Sequence, residues 1–127
     1  MWRIALAALF LLHGLVHLLG FVVPFGLAEV EGFPRSTTVL AGRLDLGEVG
    51  IRVAGVGWLL VAVAFVAAAV ALWLLAPWWW GLALGATAAS AVLCALFVPT
   101  SWAGLAVDVA IVVALFLPAV RELGSAS

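Results

Sequence analysis

IALAALFLLHGLVHLLGFVV, from Ile4 to Val23, is the stretch whose reading decides the fold. It is a predominantly apolar run, close to the roughly 20 residues that a helix needs to cross a bilayer. Arg3 stands at its entrance and Pro24 at its exit. Two histidines, His13 and His17, interrupt its apolar character. An ionisable side chain at membrane depth is costly and faces protein or a wet cavity, which makes it by default a statement about function. The i, i+4 spacing puts both imidazoles on one stripe of the helix, one turn apart.

The rest of the chain is of the same kind. Of its 127 residues, 69% are hydrophobic and 9% are charged, against about 45–50% and about 25% in ordinary soluble domains. So short a chain cannot hide that much apolar surface in a core of its own, and lipid is the expected solvent for much of it. Lysine is absent, and five arginines face six acids. Without a basic patch to track phosphates, nucleic acid is excluded as a partner. The single cysteine, Cys94, lies in an apolar run and allows no disulfide.

Four spans follow in order. Helix one is expected over about 2–23; a cleaved signal peptide is the competing reading, but the run is too long for a signal core and carries histidines. The polar loop 25–45 holds Glu29, Glu31, Arg35, Arg43 and Asp45. Ser36-Thr37-Thr38 offers a start for a short interfacial helix, and Asp45 with Glu48 has the spacing of a capping box, so helix two is expected over 46–75. Ala76-Pro77 ends it. Trp78-Trp79-Trp80 then suits the membrane interface. Helix three, 79–98, carries Gly81 and Gly85, continued by Ala89, a small-residue face suited to helix packing. Helix four, 102–120, contains Asp108, and the tail after it is expected to fray. The expected fold is all-α, a single domain over 1–127: an integral membrane antiparallel four-helix bundle.

Counting depth from the side of the long loop brings the polar residues into one layer. His17 lies seven residues before Pro24 and Asp108 six after Trp102, so both sit about 9–10 Å down, with Cys94 slightly shallower. Arg52 enters helix two from the same side, and His13 is one turn deeper. The expected site is therefore His13, His17, Arg52 and Asp108, in the loop-side half of the bundle. Arg3 before helix one and Glu29 and Glu31 after it favour cytoplasmic termini in the cell membrane, although Arg35, Arg43 and Arg52 weigh the other way.

Several chemistries fit those residues. His13 and His17 have the spacing of helical two-histidine metal sites, with Asp108 or Cys94 as further ligands. No glutamate follows His13, so the metalloprotease signature is absent. A haem would need a histidine from each of two protomers, or a single ligand. The plain alternative is a pair of neutral imidazoles hydrogen-bonding across helices. Asp108 is read either as the ionic partner of Arg52, fixing helices two and four in register, or as a protonatable carrier. Cys94 reads as an inert buried residue. No nucleophile–base pair and no phosphate-binding glycine loop argue for an enzyme.

The segments His13-Gly-Leu-Val-His17-Leu-Leu-Gly-Phe21, Ala41-Gly-Arg-Leu-Asp45-Leu-Gly47, Gly50-Ile-Arg52-Val-Ala-Gly-Val-Gly-Trp58 and Pro77-Trp-Trp-Trp80 resemble a family of small four-helix bacterial membrane proteins loosely associated with transporters. The resemblance covers nearly the whole chain and implies the fold, but no activity. The N-terminal run through His13-Gly14 is more distantly similar to DoxX-type four-helix proteins, which tend to carry other residues where His17 stands.

Three functions are therefore expected to compete. The first is a membrane binding or accessory protein whose polar site takes a ligand, lipid headgroup or metal, or whose bundle docks, as a homo-oligomer or in a larger complex. The second is a metal- or haem-dependent redox protein. The third is a small channel or proton-coupled carrier in which His17 and Asp108 change protonation. If the histidines form a site, His13→Ala and His17→Ala should act alike while Trp79→Ala should not.

Overall fold

The computed structural model describes residues 2–22, 25, 37–97 and 101–125. The described residues are all-α apart from one short hairpin. Its elements in order are α1 (Trp2–His17), α2 (Leu19–Val22), β1 (Thr38–Val39), β2 (Leu44–Asp45), α3 (Gly47–Trp73), α4 (Trp79–Leu96), α5 (Trp102–Leu115) and α6 (Pro118–Ser125). α3 and α4 are long and apolar enough to cross a membrane. α1 packs on α3, α3 on α4 and α4 on α5, with α6 touching α1, α4 and α5. The expected loop residues Glu29, Glu31 and Arg35, and the turn at Pro99 and Thr100, lie outside the described residues.

The buried stripes explain the packing. On α1 the covered side chains are Leu6, Phe10, His13 and His17, spaced four, three and four apart as one helical face requires. On α4 they are Trp79, Ala83, Ala86, Thr87, Ser90 and Cys94, and on α5 Asp108, Ile111 and Leu115. α3 presents Ile51, Gly55, Trp58, Ala62, Phe65 and Leu72 among its covered residues. Large side chains fill one half, where Phe10, Phe65, Leu72, Trp79, Ile111 and Leu115 are fully buried. Close approach is set by two glycines. A Cβ on Gly14 would lie 3.0 Å from the Ala62 carbonyl oxygen and from the Phe65 Cβ. One on Gly104 would lie 2.9 Å from the Cys94 Sγ.

Helix one is shorter than expected, because the helix breaks at Leu18 before α2 resumes. The His17 ring takes a hydrogen bond to the His13 carbonyl at 2.6 Å, the carbonyl that the His17 backbone would use. Such side-chain back-bonding bends helices at serine and threonine for the same reason. Helix four also breaks, at Phe116–Leu117, where Pro118 lacks an N–H and restricts its predecessor. Pro118 then opens α6, a helix where fraying was expected.

The segment expected as an interfacial helix is instead an antiparallel hairpin, pairing Thr38 with Asp45 and Val39 with Leu44. Its turn passes through positive φ at Leu40, Ala41 and Gly42. Val39 is buried, and the Leu40 N–H donates to the Leu96 carbonyl at 2.7 Å, covering an open C-terminal carbonyl of α4. Asp45 accepts from the Gly47 N–H at 2.9 Å, one residue ahead of the helix cap at Leu46. This bond and one from the Thr37 side chain hold the Asp45 carboxyl below the usual carboxylate range.

Candidate functional site

The two histidines come from consecutive turns of α1, Ser90 and Cys94 from consecutive turns of α4, and Asp108 from the second turn of α5. Each lies on its helix's buried stripe, and none is more than 6% exposed. The His13 Nε2–H donates to Asp108 Oδ1 at 2.8 Å. Ser90 Oγ and Asp108 Oδ2 are 2.7 Å apart, and His17 Nε2 and Ser90 Oγ are also 2.7 Å apart. Through Nδ1, His17 returns to the His13 carbonyl. The result is an unbroken hydrogen-bonded chain from α1 to α5 to α4 and back to α1. Cys94 Sγ sits at its edge, 3.9 Å from Ser90 Oγ.

α3 supplies no ionisable group to this layer; its one polar atom here, the buried Trp58 Nε1–H, has no hydrogen-bond partner among the described residues. It supplies a wall: the Phe65 ring lies 5.0 Å from His13 and 5.4 Å from His17, and Trp58 lies 5.0 Å from His17. The two imidazoles meet edge to face at 4.5 Å. Behind apolar rings, each bond of the network is stronger than it would be in water, and any polar group left unpaired is correspondingly costly.

His13, His17 and Asp108, expected together from their depth, meet here. Arg52 does not. It is exposed, its guanidinium 5.9 Å from the centre of the Phe25 ring, and Asp108 pairs with His13 and Ser90 instead. Depth counting gives a level but not a direction, and Arg52 is one position off the buried face marked by Ile51, Gly55 and Trp58. Ser90 was not anticipated. The signal for it was the i, i+4 step to Cys94, which puts both on one face.

The metal expected at His13 and His17 has no converging third ligand beside it among the described residues. Both nitrogens of His17 and the Nε2 of His13 are engaged in hydrogen bonds. Among the described residues, no group of three or more histidine, cysteine, aspartate and glutamate side chains converges to hold an ion. Gly81 and Gly85 are exposed with open space around them and pack against no helix among the described residues. Trp79, expected at an interface, is fully buried; of the three tryptophans, Trp78 is the exposed one.

No protein-family model, curated protein or solved structure matches this chain.

Proposed function

We propose that the chain is an integral membrane protein, an antiparallel four-helix bundle whose buried polar layer takes up and passes a proton as the working part of a proton-coupled carrier. The observation that carries this reading is the closed chain His13–Asp108–Ser90–His17, buried and joined by bonds of 2.6–2.8 Å. Proton relays in pumps and transporters are built from such aspartate and histidine chains. A ligand site would keep donors or acceptors open, whereas these groups satisfy one another.

The membrane setting is supported by the outer surface. Leu12, Val16, Val53, Leu60, Val63, Val92, Val109 and Val113 are among many large apolar side chains left exposed, far beyond the scattered exposure of soluble proteins. α5 alone reaches only about 21 Å at 1.5 Å per residue. Membership in the family of small four-helix bacterial membrane proteins, and cytoplasmic termini, belong to the same proposal.

The test is flux. Protein reconstituted in liposomes containing a pH-sensitive dye should acidify the lumen under an imposed potassium diffusion potential. Asp108→Asn should abolish that signal. Flux equal to that of empty liposomes in the unmodified chain would sink the carrier reading. One observation favours the accessory reading as a second: Gly81, Gly85 and Ala89 face outward on α4, a surface on which another helix would fit closely. Sizing in mild detergent, with Gly85→Leu as the comparison, tests it.

A further inference from the structure

Donor and acceptor chemistry limits how protons can be placed along the buried layer. The His13 carbonyl only accepts, so His17 Nδ1 carries a proton. His13 Nε2 donates to Asp108 Oδ1. Two contacts remain, Asp108 Oδ2 with Ser90 Oγ and Ser90 Oγ with His17 Nε2, both 2.7 Å. Ser90 owns one hydroxyl proton and cannot donate to both. If it donates to a carboxylate Asp108, His17 Nε2 must donate to Ser90, and His17 is an imidazolium. If it donates to His17 Nε2, Asp108 must donate to Ser90, and Asp108 is a carboxylic acid. A neutral His17 beside an ionised Asp108 leaves one 2.7 Å contact with two facing lone pairs and no proton.

We infer that the layer is a single-proton binding site shared by Asp108 and His17, with the Ser90 hydroxyl as the relay between them. The bonds require one proton more than neutral imidazoles, a hydroxyl and a carboxylate supply. In one arrangement Asp108 O–H points at Ser90 and Ser90 O–H at His17 Nε2. Passing one proton from Asp108 to Ser90 while Ser90 passes its own to His17 gives the other, with a carboxylate and an imidazolium. Both have no net charge, which suits a layer with an apolar wall, where an unpaired charge would be costly. The groups facing the proton are His13 and His17 from α1, Ser90 and Cys94 from α4, and Asp108 from α5. α3 faces it with Trp58 and Phe65, which do not titrate there. Arg52 is exposed and apart.

The inference rests on the proton-handling reading for its purpose, but its test needs no transport. The chain has only two aspartates, Asp45 and Asp108, and two histidines. Carboxyl-labelled aspartate and ring-labelled histidine therefore report the site by NMR in detergent, with exposed Asp45 as an internal carboxylate reference. Near neutral pH the unmodified chain should show one of two pairings: acid Asp108 with neutral His17, or carboxylate Asp108 with imidazolium His17. On raising the pH, the Asp108 and His17 signals should change together. They should separate in Ser90→Ala and rejoin in Ser90→Thr. Carboxylate Asp108 beside neutral His17 in the unmodified chain would overturn the inference, as would joint titration that survives in Ser90→Ala. A shared proton without liposome flux would leave this inference standing and overturn the carrier.

Discussion

Asp108 is the residue on which the layer turns, and two substitutions there separate its geometry from its proton. In Asp108→Asn, the amide oxygen accepts from His13 Nε2, the amide N–H donates to Ser90, and Ser90 donates to His17. Every bond survives with neutral imidazoles, because asparagine reproduces the donor pattern of a protonated aspartate. This variant should unfold within about 1 kcal/mol of the unmodified chain while carrying no proton flux. Asp108→Ala leaves the His13 Nε2–H buried without an acceptor, while Ser90 still donates to His17 Nε2, and should cost about 1–3 kcal/mol. Denaturation in mixed micelles, followed by circular dichroism, measures both, and equal losses would show that the carboxylate's charge matters more than its bonding pattern. His13, His17 and Asp108 were legible in the sequence because ionisable groups stand out against valine and leucine. Ser90 was not, since a helical serine ordinarily spends its hydroxyl on its own helix, as Thr87 does on the Ala83 carbonyl at 2.7 Å. Only the fold reveals that Ser90 turns instead to its neighbours.

Between elements, the site depends on how closely α1 and α5 approach their partners. At Gly14 an added methyl meets a backbone carbonyl that cannot step aside, so Gly14→Ala should push α1 off α3, at about 1–3 kcal/mol. At Gly104 the obstacle is the Cys94 sulfur, with the His13 Cε1 3.9 Å away. Gly104→Ala should cost a similar amount, and adding Cys94→Ala should recover much of it, a coupling that a double-mutant cycle reads directly. Additive losses would mean that α5 shifts rather than clashes. The hairpin ahead of α3 carries a different prediction. Asp45 has its folded value lowered, chiefly by the Gly47 N–H and then by the Thr37 side chain. Its stabilising effect is therefore present above the unfolded value of about 4 and disappears as pH falls through the lower folded value. Asp45→Asn should remove that contribution, lowering stability slightly at neutral pH and flattening the dependence of unfolding on pH in the acid range. The hairpin itself was not legible. Its strands are two residues long, and its turn puts Leu40 and Ala41 at positive φ, which no local preference announces.

At the scale of the whole molecule, helix positions were readable because proline, glycine and tryptophan punctuate four apolar runs. Helix faces were not, because beyond Arg52 α3 is apolar around its whole circumference and nothing in that stretch marks which side is covered. That is why the sequence alone groups Arg52 with the site and places Trp79 at an interface. Trp79→Ala should now cost about 3–5 kcal/mol and Trp78→Ala little, the reverse of using Trp79 as a neutral control. The ends of the bundle offer the sharper test of the architecture. Arg3 lies 5.1 Å from the Trp73 ring centre and Arg121 5.7 Å from that of Trp80, while the Trp80 Nε1–H donates to the Leu115 carbonyl at 2.7 Å. The start of α1, the α3–α4 turn and α6 thus gather at one end, and the hairpin closes the other. If lipid surrounds the space between, the two ends lie in different compartments. In a Cys94→Ala background, Arg43→Cys in the hairpin turn and Ala119→Cys in α6 are both exposed positions. A membrane-impermeant maleimide added to intact spheroplasts should label one of them and reach the other only after lysis. Labelling of Arg43→Cys from outside would put the termini in the cytoplasm, as proposed. Labelling of both before lysis would mean that the helices do not separate two compartments, and the bundle would then have to bury its apolar exterior against another protein instead.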